Sequence, residues 1–446
     1  MDPFDRLPAE LRLRILVHIR SKRCVSSLTQ ASPAMLRQYH THERYIARSL
    51  IAADFDDEMV QDAMAILFIQ NSCKSSMYKH ILDWSKHRLP NPLKDHNDQR
   101  FSQLFDQLNT LHSQLLIFIE DYVTKATSSY PPRDYLCLPQ TLESKIPMTE
   151  GYIMINGQKI TARFNASNLK DTEVHRFLKA FLLYELNCRV KTSLAATQSR
   201  LPQRELDTAE HEAIKCVNTY VCSLYCAMFA QCGNAWLPDA STSLQTGLLF
   251  PDTFFINPEI YASEMGQLER VRAGYVIKDE NKVEGSFARF GLGPLIEFLS
   301  HDMSDVRDKQ ALRKRLRTWY IQKYEYPYKS GILCSTESVT SRASPIYSQL
   351  SSEVGIELQR NIYRQRAWAF FDDRRLYPKR SNGRPNFPTQ SFLNRQPSKQ
   401  AWVEGWFDNP SQARALRRSQ RWHDELCAGS DSNDAARIEY SLSFGK

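Results

Sequence analysis

The cysteines between residues 216 and 232 come closer to a metal-binding pattern than other side chains of this sequence. Cys222 and Cys226 stand four residues apart, on one face of a helix, with Cys216 and Cys232 on either side. Zinc sites bring thiolates together in closer pairs or combine them with nearby histidines. Because this stretch has neither, we interpret the four cysteines as small apolar residues of a buried helix and expect no metal site.

Other residue types that carry chemistry occur without the partners that the chemistry requires. His42-Glu43 and His211-Glu212 lack the second histidine of a zinc peptidase, which would follow three residues later. Gly291-Leu292-Gly293 lacks the third glycine of a dinucleotide-binding loop. Asp372-Asp373 could form an acid pair, but the adjacent Arg374-Arg375 favours a local cluster of ion pairs. We therefore expect neither an enzyme nor a cofactor.

The strongest charge feature lies near the carboxyl end, where residues 360–446 contain 16 Lys/Arg and 9 Asp/Glu. Almost all of the net charge of +8 belongs to this segment. A basic helix is predicted from Pro410 to Leu426, with four arginines on one face beside Trp422: Arg414, Arg417, Arg418 and Arg421. This face could bind the phosphates of a nucleic acid. A solvated basic face or a contact with an acidic partner is the simpler interpretation.

Length and composition indicate a globular intracellular protein. The 446 residues suffice for two or three domains, or for one large helical body with a small appendage. Met1-Asp2-Pro3 lacks the basic and apolar regions of a signal peptide, and the cysteines are scattered, so we expect reduced thiols in the cytoplasm or nucleus. The most apolar window, Cys216–Cys232, is short and polar for a membrane span, so no membrane contact is expected.

The first twenty residues are organised around a helix with more apolar surface than one neighbour can cover. Pro8 suits the first helical position and Glu10 suits the first turn, so we predict a helix from about Pro8 to about Arg20. Its apolar residues fall on two sides, one with Leu11, Ile15 and Ile19 and the other with Leu13, Leu16 and Val17. A helix on the surface of a monomer needs one apolar stripe. Either the chain itself covers both sides, or a partner covers one.

The pattern Leu7-Pro8-x-Glu10-Leu11-x-x-x-Ile15-Leu16-x-x-Ile19 resembles the first helix of an F-box. The residues from Ser26 to Pro33 resemble the variant of filamentous fungi, in which Ala-Ser-Pro replaces the usual Val-Cys before the third helix. The chain departs from the family pattern in two places. Cys24-Val25 stands where Asp-Leu is usual, and the usual Trp is missing, so Met35 or Tyr39 must take its role. The resemblance implies a three-helix motif that binds the adaptor subunit of an SCF-type cullin–RING ubiquitin ligase.

The resemblance also implies which side chains contact the ligase adaptor. They are Leu7, Pro8, Leu11, Ile15, Leu16 and Ile19, with Glu10 in the first turn, completed by Leu28 and Met35. The rest of the chain would then hold an unknown target protein. The alternative is a non-enzymatic helical interaction protein with a degenerate F-box, which could bind nucleic acid through its basic segment. The two hypotheses differ in whether Leu7, Pro8 and Leu11 are exposed in the monomer.

Hydrophobic periodicity predicts a mostly helical chain. The second helix should cover residues 26–30, the third should begin at Pro33, and a fourth should begin at Asp56. Further helices are predicted over 76–87, 101–126, 171–190, 210–231, 292–301, 309–324 and 353–371. Asn156-Gly157 between two apolar runs predicts one β-hairpin, because Asn-Gly supplies the positive φ of a type I′ turn. The expected fold class is all-α. We divide it into an F-box-like motif (1–54), an irregular helical body (55–378) and a basic loop, helix and tail (379–446).

Two fragments of the body resemble segments that recur in fungal F-box-like proteins. The first is Glu173-x-x-Arg176-Phe177-x-x-Ala180-Phe181-x-x-Tyr184-Glu185-Leu186. The second is Arg366-Ala367-Trp368-Ala369-Phe370-Phe371-Asp372-Asp373-x-Arg375-Leu376. They imply that the resemblance covers most of the chain, and they imply no activity.

Overall fold

The computed structural model describes residues 2–19, 22–71, 74–94, 99–128, 134–141, 151–155, 158–164, 166–194, 206–232, 287–324 and 363–372. This part of the chain is predominantly α-helical with one two-stranded sheet, so the predicted all-α class is confirmed for it. Its α-helices are α1 (Ala9–His18), α2 (Lys22–Ala31), α3 (Pro33–Asp54), α4 (Asp57–Asn71), α5 (Lys74–Ser85), α6 (Gln99–Thr127), α7 (Asp171–Leu194), α8 (Thr208–Cys232), α9 (Leu292–Leu299) and α10 (Val306–Tyr324).

The three N-terminal helices pack around a small apolar cluster of their own. Leu16 of α1, Val25 of α2, and Met35 and Ile46 of α3 are buried at its centre. A short 3₁₀ turn, Pro3–Arg6, precedes α1 and packs on α3. We call residues 2–54 the N-terminal module.

Helix α3 connects this module with the rest of the molecule because both cores use it. Its first part belongs to the cluster of the module, whereas Ile51 near its end packs in the main core. The helix is kinked at His42, where φ is −124° and ψ is 20°. Asp54, the last residue of α3, binds Nε2 of the buried His112 in α6 at 2.9 Å. This pair therefore joins the end of the N-terminal module to α6.

The main core lies where α4, α6, α7 and α8 pack together, and α10 packs on α8. Aromatic side chains fill its centre: Tyr122 stacks on Tyr220 with ring centroids 4.5 Å apart, and Phe118 stacks on Phe181 at 6.5 Å. Full burial of one large apolar side chain stabilises a protein by roughly 1.5–3 kcal/mol. Helices α6, α7 and α8 therefore depend on one another, because each supplies rings to the same core.

The predicted hairpin is present as strands β1 (Tyr152–Ile155) and β2 (Gln158–Ala162), which pair antiparallel. A β-bulge or irregularity interrupts the register after Ile153. Ile153 and Ile155 are both buried in a small cluster beside the main core, since alternate residues of a strand share one face. The turn residues 156–157 lie outside the described ranges.

Where the described helices differ from prediction, most differ only at their ends, and α2 is longer than its predicted 26–30. The helix predicted over 353–371 fits less well: residues 353–362 lie outside the description, and only Tyr363–Gln365 form a helical turn. The chain then continues in turns, and Ala367 has a positive φ of 53°, which a helix does not allow. The basic loop, helix and tail predicted over 379–446 also lie outside the described ranges. Among the described helices, none is both long and apolar enough to span a membrane.

Candidate functional site

The start of α1 places the first residues of the candidate docking surface. Leu7 is extended, with φ −84° and ψ 138°, as expected for a residue before proline. Pro8 also has an extended ψ of 149°, so the helix begins at Ala9 and not at Pro8 as predicted. The carbonyl of Pro8 accepts hydrogen bonds from the N–H groups of Leu11 and Arg12, both at 3.1 Å. Pro8 thus occupies the cap position, where its missing N–H also has no cost.

Asp2 holds this start in place, a role that the sequence did not reveal. Its Oδ2 accepts hydrogen bonds from Ser32 Oγ at 2.6 Å and from the N–H of Ala34 at 3.0 Å, while its Oδ1 accepts the N–H of Phe4. Ser32 Oγ in turn accepts the N–H of Met35 at 3.1 Å and caps α3, which begins at Pro33 as predicted. The hydrogen bond from Ser32 lowers the pKa of Asp2 from its ordinary value. The only local signal was an aspartate directly before Pro3, where it caps the 3₁₀ turn.

Five of the nine proposed contact residues pack against the module itself. Leu16 and Met35 are fully buried at its centre. Ile15, Ile19 and Leu28 are partly buried against the same cluster. Tyr39 also packs there, so both residues considered in place of the F-box tryptophan contribute to the internal packing of the module. In this conformation Leu16 and Met35 offer no surface to a partner.

The remaining four residues lie outside that cluster, at the N-terminal end of α1. Pro8, Glu10 and Leu11 are exposed, with 44% of Leu11 accessible, and Leu7 is partly exposed. We call these four residues the docking edge. An aliphatic side chain in water gains free energy when a partner covers it. The edge is therefore suited to an apolar partner with a polar or basic group opposite Glu10.

Leu36 is a further exposed apolar residue that the sequence interpretation missed. It is 40% exposed, whereas its neighbour Met35, which was proposed as a contact, is buried. Successive helical residues point about 100° apart, so on α3 Met35 faces the core while Leu36 faces solvent. The periodicity of α3 alone did not decide which one.

The two body fragments singled out in the sequence, which begin at Glu173 and Arg366, meet in space. The carboxylate of Asp372 accepts hydrogen bonds from Lys170 Nζ and Arg176 Nη2, each at 2.5 Å, and Glu173 Oε1 accepts the N–H of Asp372 at 3.0 Å. The hydrogen bond from Lys170 contributes most to lowering the pKa of Asp372. Asp372 thus forms its ion pairs with residues at the N-terminal end of α7, whereas the sequence predicted a local cluster with Arg374-Arg375. Residues 373–375 lie outside the description, so that local cluster stays a prediction.

Residues 363–371 continue this contact into the main core. The ring of Phe370 stacks on that of Phe177 in α7 at 4.0 Å with an interplanar angle of 14°. Arg364 forms a two-point ion pair with Glu212 of α8, with N–O distances of 2.7 and 2.9 Å. Arg366 is buried and donates from Nη1 to the carbonyls of residues 126 and 128, at the end of α6. The segment therefore ties α6, α7 and α8 together.

A fully buried ion pair lies beside this segment in α6. Lys125 Nζ is 2.6 Å from Asp121 Oδ2, and the hydroxyl of Tyr220 donates to the same oxygen at 2.6 Å. Burial is the main cause that raises the pKa of Tyr220. The two opposite charges lie in direct contact, as buried charges require, although Asp121 Oδ1 and Lys125 Nζ make no hydrogen bond of good geometry within the described ranges. We interpret the group as a structural element of the core.

The Gly-x-Gly sequence also has a structural explanation. Gly291 has a φ of +81° and precedes α9, whose first N–H, that of Leu292, donates to Glu185 Oε2 at 2.5 Å. The other oxygen of Glu185 accepts Arg189 Nε at 2.7 Å. A Cβ at Gly291 would collide with the Glu185 carboxylate, and one at Gly293 would collide with Arg189. The glycines thus make room for a carboxylate of the same chain at the helix N-terminus.

The cysteines of α8 are packed as the sequence suggested. Cys216, Cys226 and Cys232 are buried and Cys222 is partly buried. Burial raises the pKa of the Cys216 thiol well above its ordinary value and that of Cys232 to about 11, so both are protonated at neutral pH. Within the described ranges, no group of His, Cys, Asp and Glu side chains could hold a metal ion.

Comparison with known proteins gives no assignment: no family model matches the sequence, and no curated protein or solved structure matches it.

Proposed function

We propose that this protein is a substrate-recruiting adaptor that docks through its N-terminal module to the adaptor subunit of an SCF-type cullin–RING ubiquitin ligase. The observation that carries the proposal is the exposure of Pro8 and Leu11, with Leu7 partly exposed beside them. A helix that docks to a partner leaves these residues exposed in the monomer, whereas a helix that packs only on its own chain buries them.

The organisation of the module supports this proposal. Its cluster around Leu16 and Met35 folds three helices without using the docking edge. The hydrogen bonds of Asp2 hold the chain that leads into the edge against α3. A contact surface that is already ordered loses less conformational entropy when it binds. The resemblance of this stretch to an F-box names the partner that such an edge would fit.

The contribution of one edge residue follows from its exposure. Full burial of a leucine contributes roughly 1.5–3 kcal/mol, and the exposed 44% of Leu11 corresponds to about 1 kcal/mol, or about fivefold in Kd. An aspartate at this position would place a charge in an apolar contact and leave it without water. Leu11→Asp should therefore abolish binding, whereas Leu11→Ala should weaken it by about fivefold.

The test is co-purification of the full-length chain with the recombinant ligase adaptor subunit. We expect the wild type to retain the adaptor and Leu11→Asp to lose it. Leu82→Asp is the matched control, because Leu82 of α5 is a leucine of similar exposure, 39%, far along the chain from the edge. It should bind like the wild type. If the wild type itself fails to bind, or if both variants lose binding equally, the proposed function is wrong.

The other half of the function concerns the target. We propose that the helical body, residues 55–378, holds a target protein near the ubiquitin-loading enzyme while the N-terminal module docks to the ligase. The shared helix α3 and the buried Asp54–His112 pair join the two parts. This arrangement supports a fixed distance between the docking edge and a bound target.

A further inference from the structure

Helix α5 presents an apolar pair to solvent although its other side is already packed. Tyr78 and Leu82 are 47% and 39% exposed and stand four residues apart, so they lie on one face of the helix. Large apolar side chains that are exposed side by side mark interaction surfaces more often than single ones do.

The orientation of α5 is fixed by the side chains on its inner face. Met77 and Ile81 are buried in the main core, and Trp84 Nε1 donates to Asp62 Oδ1 of α4 at 2.8 Å. His80 stacks on Phe68 of α4 with ring centroids 5.0 Å apart. Because these contacts hold the helix, a partner would meet Tyr78 and Leu82 in a preformed arrangement, with little ordering cost.

Basic side chains surround the apolar pair. Lys79 follows Tyr78 directly, Lys86 stands four residues after Leu82, and Arg88 follows in the loop; all three are exposed. Within the described ranges, none of the three forms an ion pair with a carboxylate. The three basic side chains outnumber Asp83, the partly exposed carboxylate of α5, so with the exposed His87 this end of the helix keeps a positive surface.

We propose that Tyr78, Lys79, Leu82 and Lys86, here called the α5 surface, bind an acidic peptide segment of a partner protein that carries large apolar side chains. The apolar side chains of the partner would cover Tyr78 and Leu82, and its carboxylates would pair with Lys79, Lys86 and Arg88. Complementary charge sets the orientation and speeds the encounter, while the apolar contact supplies most of the affinity. The inference names the chemistry of the target, and in that respect it rests on the proposed function.

An anionic membrane surface would also attract lysines beside apolar residues. However, a helix that lies in a membrane interface uses a broad apolar face. Met77 and Ile81 of α5 are buried in the main core, and among the side chains of α5 that the structure describes, Tyr78 and Leu82 are the exposed large apolar ones. The observations therefore favour a protein segment.

The test is selection from a phage-displayed library of random short peptides on the immobilised full-length chain. We expect the enriched peptides to contain more Asp and Glu than Lys and Arg, together with at least two large apolar residues. The double variant Tyr78→Ala/Leu82→Ala should reduce their capture at least tenfold, and raising the salt concentration should weaken it. Leu36→Ala/Tyr45→Ala is the matched control, because it also removes an exposed leucine and an exposed tyrosine, from α3. It should capture the peptides like the wild type.

A charge reversal tests the electrostatic half of the inference. Lys79→Glu/Lys86→Glu should lose the acidic peptides and select basic ones instead, while its circular dichroism spectrum remains that of the wild type. The inference is overturned if the wild type enriches no peptides, if the enriched peptides lack an acidic excess, or if the α3 control loses them equally. Binding to phosphatidylserine vesicles that only Tyr78→Ala/Leu82→Ala abolishes would assign the surface to lipid and would also overturn it. None of these measurements uses the ligase adaptor, so failure here and failure of the proposed docking are distinguishable.

Discussion

Replacing Phe370 with alanine should remove a large part of the stability of the helical body. The Phe370 side chain is fully buried, stacks on Phe177 and meets Tyr122 edge to face with ring centroids 6.0 Å apart. Substitution of a buried phenylalanine by alanine costs about 3–5 kcal/mol, because it removes apolar contacts and leaves a cavity. Folded domains have a total stability of about 5–15 kcal/mol, so the loss should be between about a fifth of that stability and all of it.

The matched control changes the same segment at its partly exposed end. Asp372 pairs with Lys170 and Arg176, but the exposed fractions of the three side chains are 28%, 54% and 39%. Solvent-exposed ion pairs contribute about 0–1 kcal/mol. Asp372→Ala should therefore cost less than about 1 kcal/mol, also because its N–H can still donate to Glu173.

The assay is urea unfolding of the full-length chain, followed by circular dichroism at the helical band. Phe370→Ala should shift the midpoint strongly to lower urea, and Asp372→Ala should shift it only slightly. If the two midpoints are equal, residues 363–372 are not part of the main core in solution. The contact between this segment and α7 would then be absent in solution.

Three further changes test other contacts. His112→Ala leaves the carboxylate of Asp54 buried without its partner and should lower the free energy of unfolding by about 3–5 kcal/mol, measured by urea titration. Glu185→Ala leaves the N–H of Leu292 without an acceptor and should cost about 3 kcal/mol in the same assay. The pKa of Asp2 is lowered in the folded chain, so its contribution is complete above its ordinary value of 3.8 and is lost as the pH falls below it. Asp2→Asn should therefore flatten the loss of stability in acid, measured by thermal melting from neutral to acidic pH.

Each of these three has a result that would contradict it. Arg44→Ala is the control for His112→Ala, because the exposed Arg44–Asp106 ion pair also joins α3 to α6. Its loss should cost less than about 1 kcal/mol. An equal effect of Arg44→Ala and His112→Ala would mean that the buried pair is not formed. An unchanged midpoint for Glu185→Ala would mean that the Glu185 carboxylate does not accept a hydrogen bond from the N–H of Leu292. A wild type and an Asp2→Asn variant with the same acid dependence would exclude the bond to Ser32.

The elements that could be predicted from the sequence depend on residues close to one another along the chain. Ser32 and Pro33 start α3 through a cap that involves only the next three residues. The apolar repeat of α6 and the Asn156-Gly157 dipeptide likewise predict a helix and a hairpin from neighbours in the sequence. The F-box-like pattern named a candidate docking edge for the same reason, because it lies within one helix and the residues before it.

The tertiary structure decided which of the proposed contact residues face outward. Both sides of α1 are apolar, and only the packing of α2 and α3 determines that Leu16 is buried while Leu11 is exposed. On α3, packing likewise determines that Met35 is buried while Leu36 is exposed. Contacts such as Asp2 with Ser32 and Glu185 with Leu292 join residues 30 and 107 positions apart. Periodicity records that a side chain is apolar, but its burial depends on the helix that packs against it, and distant segments of the chain supply that helix.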